Sequence, residues 1–252
     1  MTTSPPIPDS SSVSLPRRLL APWWHTALIL LLLFGSSIAN VRTAHLSRPM
    51  HSHASVYLGT LVWEWLLLAL VFWGASRRGT TLRQLFGQRR PGAREFWTDA
   101  AIALGFWFTS LSLLSMAGIL LRVVQLHPEK IRGIVSQLAP ASPAELLLWL
   151  ALSVSAGLCE EMVFRGYLQQ QFTVLTRRAW LGIAIAALCF GLAHGYEGIS
   201  GMVLITLYGA LFGILAYARG SLRPGMMAHA WHDAISGFVL YFASHSLFRI
   251  PH

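Results

Sequence analysis

The chain has 252 residues, of which 54% are hydrophobic and only 12% are charged. Its mean hydropathy of +0.54 is far above that of a soluble globular domain. The formal net charge of +9 does not indicate a nucleic-acid partner, because the arginines fall between apolar runs and form no surface stripe. The composition therefore predicts an integral membrane protein, with the lipid bilayer as its surroundings.

Seven apolar runs predict about seven transmembrane helices and an all-α, polytopic membrane protein. Each run approaches or exceeds the ~20 residues that cross a hydrocarbon core. A tail over residues 1–20, rich in Ser and Pro, precedes them and is predicted to be disordered and cytoplasmic. The runs lie near 24–41, 56–74, 97–121, 144–172, 179–195, 201–218 and 224–243.

The distribution of arginine predicts the orientation of these helices. The connections at 75–96, 173–178 and 219–223 all carry arginine, and all three fall on one side of the membrane. The positive-inside rule therefore places the N-terminus inside and the C-terminus outside. Arg42 and Arg48 in the predicted external loop 42–55 weaken the contrast slightly.

Two adjacent acids interrupt the fourth apolar run, LLLWLALSVSAGLCEEMVFRGYLQQQF. Glu160 and Glu161 follow about fifteen nearly uncharged residues, and Arg165 comes four positions after Glu161. A charged side chain at membrane depth costs at least ~2.5–3.5 kcal/mol, so such residues are functional candidates by default. The acid-first spacing predicts an ion pair between Glu161 and Arg165, which leaves Glu160 free to face a water molecule.

Later apolar runs add three more ionisable residues, His194, His229 and Asp233. With a rise of 1.5 Å per residue, the depths of these residues and of the two acids converge on the cytoplasmic side of the membrane centre. The sequence thus predicts one buried polar cavity that opens to the cytoplasm. Asp233 follows His229 by four residues and is predicted to orient its imidazole. Phe190 shares a helix face with His194 and is predicted to form a substrate-contacting wall.

Three other polar positions have less definite roles. Glu64, between two tryptophans, is interpreted as a structural acid or an acid near the membrane interface, with a catalytic contribution as the alternative. Glu197 lies just after the fifth helix, and the sequence does not decide its role. Cys159 beside the acids is disfavoured as a nucleophile, because apolar surroundings do not activate a thiol.

The strings EEMVFR, FGLAH and HAWHD read as E-E-x-x-x-R, F-x-x-x-H and H-x-x-x-D. In this order and spacing they resemble the motifs of the CPBP intramembrane endopeptidases. That family includes the type II CAAX prenyl endopeptidases and bacteriocin-processing and immunity homologues. The family often has Asn where this chain has Asp233. The resemblance covers about 142–243, so we expect 21–140 to hold N-terminal helices and loops, 141–243 the catalytic core and 244–252 a short tail.

The resemblance implies hydrolysis of a peptide bond inside the membrane. Glu160 would be the general base that takes a proton from water, and His194 would help to hold that water. His229 and Asp233 would stabilise the oxyanion. Glu161 and Arg165 would set the charge and geometry of the acid pair. These roles agree with what amide hydrolysis requires.

The expected substrate is a membrane-anchored or hydrophobic peptide or protein, in what we expect to be a bacterial cytoplasmic membrane. No cofactor is required by the motifs. A zinc site made of His194, His229 and a carboxylate is left open, with glutamate catalysis preferred. A proton-coupled transporter is one rival hypothesis, although the sequence has no repeat symmetry. A non-catalytic immunity or scaffold protein is the other.

Overall fold

The computed structural model describes residues 18–45, 53–87, 92–120 and 139–247. Arg48, Arg89, Arg90 and most of the predicted N-terminal tail lie outside these ranges. The described chain is helical between short turns. Its α-helices are α1 (Trp23–His45), α2 (His53–Ser76), α3 (Leu82–Phe86), α4 (Ala93–Leu120), α5 (Pro143–Glu160), α6 (Gln170–Thr176), α7 (Ala179–Ala193), α8 (Gly198–Arg219) and α9 (Arg223–Leu247). A π-helix (Glu161–Gln169) joins α5 to α6, and a 3₁₀ turn (Gly195–Glu197) precedes α8.

The prediction of an all-α, polytopic membrane protein is confirmed, and the number seven is approximate. Within the described ranges, five helices are long and apolar enough to cross a membrane. They are Trp23–Arg42, His53–Ser76, Ala93–Leu120, Pro143–Thr176 and Gly195–Arg219. The other two predicted spans are helical as well, but α7 has only 15 residues and the 25-residue α9 is not among the five.

The helix that carries the two acids is the central one. The continuous span Pro143–Thr176 has 44% of its most apolar window buried, compared with 17% for α4. Ser142 caps its start by accepting a hydrogen bond from the backbone N–H of Glu145, and Pro143 occupies the first turn. Its middle is therefore surrounded by protein, whereas α4 lies at the edge of the bundle.

The π-helix begins directly after Glu160, and all nine of its side chains are buried. The sequence spacing predicted an ordinary α-helix here, so the wider winding is a correction. Gly166 allows its neighbours to approach, because a Cβ there would lie 3.1 Å from the carbonyl oxygen of Leu85 and from a methyl group of Leu222. Turns of π-helix occur frequently at functional sites.

A buried hydrogen-bond network attaches the N-terminal helix to this central segment. The Tyr167 hydroxyl lies 2.8 Å from Nδ1 of His25 and 2.9 Å from Oγ1 of Thr26. Gln171 donates to Thr26 and to the carbonyl of Ala21, and accepts from the backbone N–H of Leu20. Leu20 is buried, so the predicted tail 1–20 does not extend as far as residue 20. At the other end, α9 reaches Leu247 and takes up the first residues of the predicted tail 244–252.

A second buried ionic cluster joins helices away from the acid pair. The carboxylate of Asp99 in α4 is 1% exposed and lies 3.1 Å from Arg219 and 2.9 Å from Arg223. These two arginines flank the turn between α8 and α9. The cluster therefore attaches α4, the least buried of the spans, to the remainder of the bundle.

Candidate active site

Close packing of α9 on α5 brings the second histidine motif to the acids. A Cβ at Gly157 would lie 2.7 Å from the carbonyl oxygen of Met226 and 2.9 Å from the nitrogen of Ala230. Only glycine fits such an approach without movement of one backbone. Gly157 lies one helical turn before Glu160, so the crossing places His229 directly over the two acids.

The predicted ion pair between Glu161 and Arg165 is confirmed. Oε1 of Glu161 accepts a hydrogen bond from Nη1 of Arg165 at 2.9 Å, and both side chains are almost completely buried. The same oxygen lies 3.2 Å from Nδ1 of His229. Since a carboxylate can only accept, Nδ1 of His229 is assigned the hydrogen. Glu161 thus holds both donors through Oε1, while its buried Oε2 has no hydrogen-bond partner among the described residues.

The Arg165 guanidinium is enclosed by aromatic rings. Its central carbon lies 4.3 Å from the ring centroid of Phe190 and 5.0 Å from that of Phe212, which gives cation–π stabilisation. Nη2 donates to the carbonyl oxygen of Gly209 at 3.2 Å. The close packing that the small residues Gly209 and Gly213 predict is present, because a Cβ at Gly209 would lie 3.0 Å from the Phe190 ring. Phe190 is 3% exposed, and its predicted contact with substrate stays a prediction.

The other nitrogen of His229 faces two carboxylates. Nε2 lies 3.7 Å from Oε2 of Glu160 and 3.6 Å from Oδ2 of Asp233. Both distances are too long for a hydrogen bond. The prediction that Asp233 orients the imidazole is therefore corrected, since the ring is fixed by the hydrogen bond that its Nδ1 donates to Glu161. Oε2 of Glu160 has no hydrogen-bond partner among the described residues, although it is buried.

Glu160 and His194 border one cavity of about 110 Å³. His194 ends α7, and its Nδ1 donates to the carbonyl of Phe190 at 2.8 Å, which fixes the ring. The structure thus brings all six predicted residues to one place, with Glu160 and His194 at the cavity and Glu161, Arg165 and His229 behind them. The side chain of Asp233 is 30% exposed.

One wall of the cavity is formed by α1 and α2. Its polar lining includes Ser36 and Asn40 from the second half of α1, and Thr60 and Glu64 from the first half of α2. These halves lead to the connection at 46–52, opposite the arginine-rich connection that comes after α2. The predicted opening of the cavity to the cytoplasm stays a prediction.

Glu64 also lines the cavity, and its role, structural or catalytic, stays a prediction. It is 7% exposed and accepts a hydrogen bond from the Ser155 hydroxyl at 2.7 Å. In the sequence, the signal for Glu64 was its position as an acid inside an apolar helix. Cys159 is a buried free thiol that also lines the cavity. Glu197 is exposed and is not among the lining residues.

The zinc site that the sequence leaves open stays a prediction. Within the described part of the chain, no group of three His, Cys, Asp or Glu residues is arranged to hold a metal ion. The Nδ1 atoms of His194 and His229 are occupied by Phe190 and Glu161, which leaves Nε2 of each ring for other contacts.

Residues 142–235 match the family model described as type II CAAX prenyl endopeptidase Rce1-like. The chain carries an Rce1-like region. Neither a curated protein nor a solved structure matches the chain significantly. The match contains every predicted site residue and confirms the resemblance to the CPBP endopeptidases. It supports a CAAX-type intramembrane protease and, with the apolar helices, an integral membrane protein. Helices α1 and α2, which form the opposite wall of the cavity, lie outside the Rce1-like region.

Proposed function

We propose that this protein is an intramembrane endopeptidase that hydrolyses a peptide bond in a membrane-associated peptide or protein. One observation carries the proposal. Of two adjacent acids, Glu161 holds Arg165 and His229 through one oxygen and is not among the residues that line the cavity, whereas Glu160 lines the cavity and accepts no hydrogen bond from the described residues. A carboxylate in that position is suited to accept a proton from a water molecule in the cavity.

In the proposed reaction, Glu160 takes a proton from a cavity water while that water attacks the carbonyl carbon. His194 borders the same space and helps to hold the water. The positive charge of Arg165, held by Glu161 one turn away, keeps two neighbouring acids compatible in an apolar setting. The proposed reaction therefore depends on both glutamates. Glu160 reacts with water, and Glu161 holds Arg165 and His229 in place.

We assign oxyanion stabilisation to His229. Its ring is held from behind through Nδ1 by Glu161, so Nε2 points toward the Glu160 side of the site. An N–H at that position is a preorganised donor for the charge that develops on the substrate oxygen. Asp233, 3.6 Å from Nε2, acts by supporting a positive imidazole, because an ionised carboxylate cannot itself stabilise an oxyanion.

The proposed substrate is hydrophobic at the cleavage site. The cavity lies between α1, α2 and the central helix, and apolar side chains of Leu33, Leu67 and Val163 line it together with the polar groups. The family name refers to prenylated CAAX proteins, but nothing in the cavity distinguishes a prenylated chain from another apolar one. The test therefore uses both a prenylated and an unprenylated peptide.

The test uses purified protein in liposomes and two peptides that end in Cys-aliphatic-aliphatic-X, identical except for S-farnesylation. We expect the wild type to cleave at least one peptide, and Glu160→Gln to lower the rate by ~10²-fold or more with an unchanged melting temperature. Glu95→Gln, an exposed acid at the start of α4, is the matched control and keeps the wild-type rate.

Normal cleavage by Glu160→Gln would show that Glu160 is not the base. Absence of cleavage by the wild type, with proton flux across the same liposomes that depends on Glu160, would favour the transporter hypothesis instead. Mass spectrometry of membrane peptides that accumulate in a host carrying Glu160→Gln identifies the natural substrate.

The proposal includes a bacterial inner-membrane location with the N-terminus inside. In a background without Cys159 and Cys189, single cysteines are introduced at Arg78 and Ser55. We expect an impermeant thiol reagent added outside to label position 55 and not position 78. Labelling of position 78 alone would invert the orientation.

A further inference from the structure

We propose that Glu64 is the general acid of the site and protonates the leaving nitrogen of the cleaved peptide bond. This inference rests on the proposed endopeptidase activity and extends it to α2, a helix outside the Rce1-like region. Glu64 and Glu160 border the same cavity from different helices, so a peptide bond in the cavity has a carboxyl group on either side.

Glu64 is held in place by the central helix. Ser155, five residues before Glu160, donates its hydroxyl hydrogen to Oε2 of Glu64 at 2.7 Å. Among the described residues, no hydrogen-bond donor is seen for Oε1. In the anchored carboxyl group, Oε2 is therefore fixed by Ser155, and Oε1 is available to water or substrate in the cavity. The volume of about 110 Å³ exceeds several times the ~10–15 Å³ that one water molecule needs.

The surroundings favour a carboxyl group that carries its proton. No cation among the described residues pairs with Glu64, and its partner is a neutral hydroxyl. The guanidinium of Arg165 is committed to Glu161 and Gly209, and the imidazole of His229 lies against Glu161, Glu160 and Asp233. A buried carboxylate without a cation has a high desolvation cost. The neutral carboxylic acid avoids this cost, keeps the hydrogen bond from Ser155 and has a proton to donate.

The proton balance closes with these two residues. Glu160 takes one proton from water as the water oxygen bonds to the carbonyl carbon. The intermediate then collapses, the C–N bond breaks, its electron pair stays on nitrogen, and that nitrogen takes the proton of Glu64. The products are a carboxylic acid and an amine. Glu160 finally returns its proton to Glu64 through cavity water, which restores both residues to their starting states.

The experiment compares two forms of the cleaved peptide, with either the natural amide or an ester at the cleaved bond. An amine is a poor leaving group without a proton, whereas an alcohol leaves far more readily. We expect Glu64→Gln to lower kcat on the amide by ~10²-fold and on the ester by less than about fivefold. Glu64→Asp, which keeps an acid, should recover part of the amide rate, and Glu95→Gln should change neither rate.

The amide-to-ester ratio is measured within one preparation, so a smaller folded fraction cancels. If Glu64→Gln does not accumulate, Ser155→Ala serves instead, and loss of the anchor should lower the ratio about fivefold. Equal losses on both substrates would indicate a structural role and overturn the inference, as would an unchanged ratio. If the wild type cleaves neither form, the proposed endopeptidase activity fails and this inference fails with it. A wild type that cleaves both, with an unchanged ratio in the variant, contradicts only the role of Glu64.

Discussion

Two buried acids in this bundle, Glu161 and Asp99, have nearly the same environment. Each is at most 1% exposed, and each has two basic partners. Glu161 is paired with Arg165 and His229, all of them within the protein core. Asp99 is paired with Arg219 and Arg223, whose side chains are both 21% exposed. The first cluster stands beside the cavity, and the second does not contribute to its lining.

The comparison shows that burial of charge alone does not mark a reactive site. Asp99 attaches α4 to the bundle, and its partners retain contact with the surroundings. Around Glu161, by contrast, a second acid, Glu160, lines the cavity and accepts no hydrogen bond from the described residues. What distinguishes the first cluster is this neighbouring acid at the cavity. If the two clusters differ in this way, substitutions in them should have different effects on activity and on stability.

The largest expected effect comes from removal of the buried cation. Arg165→Met retains much of the side-chain volume but leaves Glu161 as a charge with only His229 beside it. We expect a loss of about 3–5 kcal/mol in the free energy of unfolding and no measurable peptidase activity. Thermal unfolding in detergent and the liposome assay measure both. Wild-type stability in this variant would mean that the aromatic cage, and not the ion pair, holds the segment.

A smaller effect is expected at the partner acid. Glu161→Gln keeps an oxygen that can accept from Arg165 but loses the charge that holds the cation and His229. We expect activity to fall ~10–10²-fold, less than in Glu160→Gln, together with some loss of stability. The double variant Glu161→Gln with Arg165→Met should unfold less easily than Arg165→Met alone, because no uncompensated charge remains. A purely additive double variant would argue against a direct pair.

Asp99→Asn provides the matched comparison in the second cluster. Its two arginines are partly exposed and can regain water or lipid headgroups, so we expect a loss of only about 1–3 kcal/mol in stability. The peptidase rate per folded molecule should remain within about twofold of wild type. Loss of activity with stability retained would place Asp99 in the catalytic machinery and remove the contrast between the clusters.

The smallest effect is expected from chelation. We prefer glutamate catalysis without a metal, because Arg165 and His229 already balance the charge of Glu161. Exhaustive dialysis against a chelator should leave the peptidase rate of purified protein unchanged, and elemental analysis should find no stoichiometric zinc. Activity that is lost with zinc and restored by zinc alone would require a different arrangement of His194 and His229.

The sequence predicted the members of the site because ionisable residues are rare inside apolar runs. It also predicted the pair Glu161–Arg165, since residues four apart on one helix are neighbours. It could not predict that His229 bonds to Glu161, because that contact depends on how two helices cross at Gly157. Asp99 was missed since an acid near the start of a helix, after an arginine-rich connection, is typical of a solvated end.

The shape of the cavity also could not be predicted from the sequence. The three motifs all lie in the Rce1-like region, but Glu64 and the rest of the opposite wall come from helices that match only as generic spans. A helix face that lines a cavity and one that faces lipid are both apolar, so only the packing of α1 and α2 shows which residues face Glu160.

The π-helix determines where the site is sensitive to chain length as well as to residue type. A π-helical turn accommodates about one residue more than an α-helical turn. Deletion of one residue between Glu161 and Gln169 would convert a wide turn to an α-helical one, and the flanking helices α5 and α6 would keep nearly the same relative orientation. Deletion of one residue in α5, which has no wide turn to lose, would instead rotate the residues before it by ~100° relative to Glu160. We expect the deletion in α5 to inactivate the protein as completely as replacement of the acid itself, and the deletion in the π-helix to have the smaller effect.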